Sequence, residues 1–312
     1  MILVTYKREI VFCYPTKGME VFMRKGCKIG LIFLIMTAIA GCSAGSKEST
    51  VMDFQAQMDW KIPEPAVGSN PRILFVGNSH TFYNNLPGTF VNIAHSLGHK
   101  SDVYELAQGY YTLEQYANPE DEAGALLDKT VSGKKWDFVI LQENTSVVLS
   151  DSVDEKMYPY ARVLDEKVKS AGGQTAFLMT WAPKDGLKEG FKTYSREQLQ
   201  STMAENYMTI TNELNGLLIP AGISFMRCME EYPEVELWAP DGYHPSPEGT
   251  YLAACTAYAL VYQESPENCL YIGELDIELA HKLQKIAAEL VLGDGGSETV
   301  KNPGNNQSLA YQ

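Results

Sequence analysis

The chain contains no Cys-x-x-Cys, no His-Glu-x-x-His, and no stretch where lysine and arginine cluster with interleaved aromatics. The first absence removes zinc knuckles and thioredoxin-type redox sites, and the second removes the zincin arrangement of metal ligands. No residue set calls for a metal or an organic cofactor. The third absence, with a formal net charge of −14, leaves a surface that repels phosphate backbones and excludes nucleic acid as a partner. Setting the first 41 residues aside makes the charge more negative still, because Lys7, Arg8, Lys17, Arg24, Lys25 and Lys28 stand there against only Glu9 and Glu20. No internal repeat is evident. The apolar run from Ile29 to Ile39 falls well short of the roughly 20 residues a membrane-spanning helix needs.

What is present is globular: 312 residues, 45% hydrophobic and 21% charged, enough to bury a large core within one domain. The amino end reads as an address. From Met23 a short basic segment precedes the apolar run, then small residues lead to Cys42, which is the order of a secretory signal. Ile39-Ala40-Gly41-Cys42 resembles the lipobox of bacterial lipoproteins, which implies lipidation of Cys42 and export to the cell envelope. Residues 1–41 are therefore expected to be an upstream extension and signal peptide, 42–68 a lipidated tether, 69–293 the folded domain, and 294–312 a tail of disordered composition. Export would permit one disulfide among Cys228, Cys255 and Cys269; buried unpaired cysteines are the other reading.

Four short apolar runs, 72–76, 101–106, 137–142 and 175–180, each lead into a polar or glycine-containing corner and then a segment of helical period. That alternation predicts βαβ units with central parallel strands covered on both faces. A fifth run, 216–222, is weakened by Pro220. Helices are predicted over 86–97, 154–171, 198–214, 247–263 and 274–292.

The corner after the first run, "ILFVGNSHTFYNNLP" (73–87), puts Ser79 just past the carboxyl end of a strand, where ligands collect in open parallel sheets. A serine hydroxyl needs a base, an orienting carboxylate and oxyanion donors. Of the five histidines, His95, His99 and His281 fall in or beside presumed helices, and His80 is adjacent to Ser79, so that the two side chains diverge. His244 remains, three residues after Asp241 in the loop "APDGYHPSPEGTY" (239–251).

These residues resemble the SGNH (GDSL-like) hydrolases, esterases on a flavodoxin-like three-layer α/β/α fold, here with a central, mostly parallel five-stranded sheet. "GNSH" (77–80) stands at the first block, "AQGYYTLEQY" (107–116) at the second, "VILQENTS" (139–146) at the third and "DGYH" (241–244) at the fourth. The resemblance implies a catalytic triad of Ser79, His244 and Asp241, with the amides of Ser79 and Gly109 and the side chain of Asn144 as oxyanion hole. Asn78 replaces the first-block Asp. Gln142 and Thr145 replace the Gly and second Asp of the third block, so Gln142 is an alternative to Asn144. Gly77-x-Ser79-x-Thr81 is not a G-x-S-x-G elbow, which sets the α/β-hydrolase fold aside.

The expected reaction is hydrolysis of O-acyl, specifically O-acetyl, esters through an acyl-enzyme. The expected substrate is an acylated carbohydrate met at the cell surface, with Trp181 and Trp238 as sugar platforms and the membrane as a second partner through Cys42. The rival from another class is a non-catalytic envelope lipoprotein that binds glycan in the same cleft.

Overall fold

The computed structural model describes residues 3–6, 61 and 70–293. The expected signal peptide, Cys42, most of the tether and the tail lie outside the described residues.

The strands are β1 (Val4–Tyr6), β2 (Arg72–Gly77), β3 (Asp102–Ala107), β4 (Phe138–Leu141), β5 (Gln174–Leu178), β6 (Leu187–Glu189), β7 (Lys192–Tyr194) and β8 (Leu217–Ile219). The main sheet runs β1-β3-β2-β4-β5-β8, with every neighbouring pair parallel except β1–β3. Five parallel strands in flavodoxin-like order match the expectation. The sixth does not: Val4–Tyr6, in the expected upstream extension, lies antiparallel on the edge strand, Val4 opposite Glu105 and Thr5 opposite Tyr104. Three residues of strand propensity carry too little pattern to be read without their partner. β6 and β7 form a separate hairpin.

The central strands are apolar on both faces because both are covered. Ile73 and Phe75 enter one core cluster and Leu74 and Val76 the other, as the two-residue period of a strand requires. The helices are α1 (Ser79–Phe82), α2 (Leu86–Ser96), α3 (Leu113–Ala117), α4 (Glu122–Ser132), α5 (Thr145–Val148), α6 (Val153–Lys156), α7 (Tyr158–Ser170), α8 (Arg196–Glu213), α9 (Ala221–Glu231), α10 (Pro247–Tyr262) and α11 (Ile277–Leu292). Helices α2, α9, α10 and α11 fill one layer, and α3, α4, α7 and α8 the other.

Starts and stops follow local chemistry. Ser195 and Gln198 form a capping box on α8, the Ser246 side chain accepts from the Gly249 amide ahead of α10, and the Asp276 side chain caps α11. Helix α10 is buried from Gly249 to Tyr262, which explains why it is apolar all round. Pro220, read as a weakness in a strand, instead precedes α9. Among the described residues Cys228, Cys255 and Cys269 are all buried and form no disulfide, in keeping with the buried-thiol reading. Burial pushes the Cys228 thiol up to about 12 and raises that of Cys255.

Candidate active site

The site lies at the carboxyl ends of β2 and β4, where the strand order reverses. β2 ends at Gly77, where a Cβ would collide with Thr81 Oγ1 and Gln142 Oε1, so a larger residue would displace the side chains that brace the turn. Asn78 then holds the turn by three bonds. Its amide donates to Gln142 Oε1 at 2.8 Å, its Oδ1 accepts from the His80 amide at 3.2 Å, and its Nδ2 donates to the Tyr111 carbonyl at 3.0 Å. Ser79 opens α1 from this brace.

Across the site, Ser79 Oγ lies 2.8 Å from His244 Nε2, and His244 Nδ1 lies 2.6 Å from Asp241 Oδ2. Asp241 Oδ1 accepts from the amides of Tyr243 and His244, both at 2.9 Å. Partial burial opposes ionisation of Asp241, but the bonds from the His244 ring and these amides outweigh it and hold the carboxyl below its usual range. An ionised Asp241 can only accept, so Nδ1 carries the imidazole proton and Nε2 is left to accept from the serine hydroxyl.

Residues 165 apart in sequence meet because the two loops are tied. Asn84 Nδ2 donates to the Pro245 carbonyl at 2.8 Å. Asn84 and Asn85 take left-handed φ values of 49° and 59°, a conformation asparagine tolerates, and the preceding Tyr83 ring stacks on His244 with centroids 4.5 Å apart. The Asn-Asn pair was a readable turn signal; the stacking was not. On the histidine side, Trp181 Nε1 donates to the Tyr243 carbonyl at 3.0 Å and the Lys184 amide to the Gly242 carbonyl at 2.9 Å. His80 packs between Trp181 and His244, its ring centroid 5.5 Å from each. Burial, then the neighbouring His244, lower its pKa to about 4, so His80 stays neutral beside His244.

The two side-chain amides after β4 have separate tasks. Gln142 is buried; its Oε1 takes the Asn78 amide and, at 2.9 Å, Thr81 Oγ1, and its Nε2 donates to the Glu143 carbonyl at 2.5 Å. Its Oε1 is committed to holding the Ser79 turn. Asn144 Oδ1 accepts from Ser146, while Nδ2 gives one hydrogen to the Tyr110 carbonyl at 3.3 Å and keeps a second. Each amide keeps one N–H by this count, but Gln142 is buried and Asn144 only partly so, which leaves the Asn144 donor within reach of a ligand. Among the described residues the backbone amides of Ser79 and Gly109 donate to no protein acceptor.

Trp181 and Trp238 are not platforms. They are 1% and 3% exposed, stacked on and edge-on to Phe225, with Trp238 Nε1 donating to the Ala182 carbonyl at 3.1 Å. Their position after β5 and before Asp241 was legible, but their inward direction depends on α9, which supplies Phe225. Exposed aromatics near the site are instead Tyr110 (85%) and Tyr243 (48%). Tyr110 follows Gly109 with φ 67°, an outlier for a bulky residue, and Tyr243 adjoins His244.

No protein-family model matches this chain, and no curated protein matches it. Among solved structures it is similar to a chain from Slackia heliotrinireducens described as "a putative SGNH hydrolase", with TM-score 0.51 and 29% identity over 61% of this chain and 98% of that one. It is also similar in fold to a DUF4886 family protein from Bacteroides uniformis, with TM-score 0.61 and 18% identity over 72% of this chain and 95% of that one. The architecture is the α/β/α sandwich of SGNH hydrolases.

Proposed function

We propose that this chain is a serine ester hydrolase of the SGNH type that removes O-acyl groups, specifically O-acetyl, from carbohydrate. The observation that carries the reading is the hydrogen-bonded line Ser79–His244–Asp241. Ser79 Oγ attacks the ester carbonyl as its proton passes to His244 Nε2, and the imidazolium formed is stabilised by Asp241. The oxyanion is held by the amides of Ser79 and Gly109 and by Asn144 Nδ2. Collapse breaks the bond to the alkoxy oxygen, which leaves as alcohol with the proton from His244. Water then attacks the acyl-enzyme, giving its proton to His244, and the acid and free Ser79 are regenerated.

The carbohydrate part of the reading is supported by Tyr110 and Tyr243, exposed aromatics that adjoin Gly109 and His244 in the chain and are suited to stack on pyranose faces. Export and anchoring through Cys42 belong to the same proposal and rest on the lipobox resemblance.

A short-chain aryl ester and a panel of acetylated polysaccharides test it. Wild type should release product from both and Ser79→Ala from neither; tight glycan binding without turnover would favour a binding lipoprotein instead.

A further inference from the structure

One buried carboxyl group takes no part in these steps. Glu143 lies between Gln142 and Asn144 and is wholly inaccessible. Among the described residues no lysine or arginine pairs with it; its Oε1 accepts from the amides of Asn144 at 2.5 Å and Leu113 at 3.3 Å, and its Oε2 lies 3.2 Å from the same Leu113 amide. Its own amide donates to the hydroxyl of Tyr207, a buried residue of α8, at 3.3 Å. Burial of a carboxyl group without a cation is costly, and here both of its partners are backbone amides in the segments that carry oxyanion donors.

Leu113 is the first residue of α3, a position whose amide has no partner within its own helix, and lies four residues after Gly109. The stretch between them is pinned at three points: the Tyr110 carbonyl by Asn144 Nδ2, the Tyr111 carbonyl by Asn78 Nδ2, and the Leu113 amide by Glu143. A non-glycine residue at φ 67° in the middle of it, Tyr110, persists only where the surroundings over-determine the backbone. Three consecutive side chains after β4 thus divide the work. Gln142 fixes the nucleophile turn, Glu143 the far end of the Gly109 loop, and Asn144 its near end.

We propose that Glu143 is a positioning residue whose carboxyl oxygen clamps the loop after β3 to the loop after β4, so that the Gly109 amide and the Asn144 side chain converge on one oxyanion. The proposal rests on the reading of Ser79 as nucleophile, and two independent measurements separate them.

The first is amide hydrogen exchange on the wild-type chain, which needs no turnover. Leu113 and Asn144 amides should be protected like those of β2 and β4; fast exchange at either overturns the clamp. The second compares Glu143→Gln, which retains an oxygen acceptor, with Glu143→Met, which fills the space and accepts nothing. On a short-chain aryl ester Glu143→Met should lose on the order of 10²-fold in kcat with KM little changed, and should exchange Leu113 and Asn144 amides faster, while Glu143→Gln restores most of the rate. Equal kcat in Glu143→Met and wild type, or equal losses in both variants, contradicts the proposal. If wild type hydrolyses no ester, the reading of Ser79 fails while exchange still decides the clamp.

Discussion

At the scale of single residues, the two amides after β4 should differ most in turnover. Removing one oxyanion donor costs about 2.7–4 kcal/mol of barrier, so Asn144→Ala should lower kcat by about 10²–10³-fold, and loss of its cap on the Ser146 amide should cost about 0.5–2 kcal/mol of stability. Gln142→Ala leaves the Asn78 amide and Thr81 hydroxyl without their acceptor, and should cost about 1–3 kcal/mol of stability, read by thermal melting. Glu143 supplies a pH signature. Burial pushes its carboxyl up to about 8, against the opposing bonds from the Asn144 and Leu113 amides and with Glu114 adding to the rise; the neutral Tyr207 hydroxyl is its other close neighbour. The unfolded chain releases this proton near the ordinary 4.5, whereas the folded chain keeps it to about 8. Its contribution is therefore full at acid pH and is lost as pH rises through that window. Melting of wild type should fall relative to Glu143→Gln between pH 5 and 8; a constant difference would mean the group ionises normally.

At the scale of elements, the His244 loop depends on Gly242, which sits at φ 72° with room for a Cβ against Lys184. Gly242→Ala therefore meets backbone strain without a clash, about 1–2 kcal/mol, and should lower the melting temperature by a few degrees and kcat with it as His244 shifts; an unchanged melt would show that the loop has another accessible conformation. The strands from 72–77 to 174–178 were legible because runs apolar on both faces have few other uses, and Ser79, Asp241 and His244 were legible because their spacing matched a known pattern. Helices α4 and α9 and the β6–β7 hairpin were not: α9 begins at a proline that also weakens a strand, and the hairpin is short and polar. The inward turn of Trp181 and Trp238 and the stacking of Tyr83 on His244 are properties of packed layers, which one chain segment does not encode.

At the scale of the whole molecule, the parallel sheet brings a turn from residue 79 and a loop from residue 244 to the same edge, and the caps and ties around them hold that edge before any ligand arrives. The acidic surface suits neutral esters over polyanions. The envelope address is a separate claim from the chemistry: Cys42→Ala should move the protein from the membrane to the soluble fraction with its esterase rate intact, and continued membrane partitioning would refute the anchor. The central claim is that Ser79 is a nucleophile activated by His244. Incubation with an aryl phosphonate ester followed by peptide mass mapping tests it most directly. The account predicts a single covalent adduct on Ser79 that is lost in His244→Ala; an unmodified Ser79, or an equal adduct without His244, would contradict it.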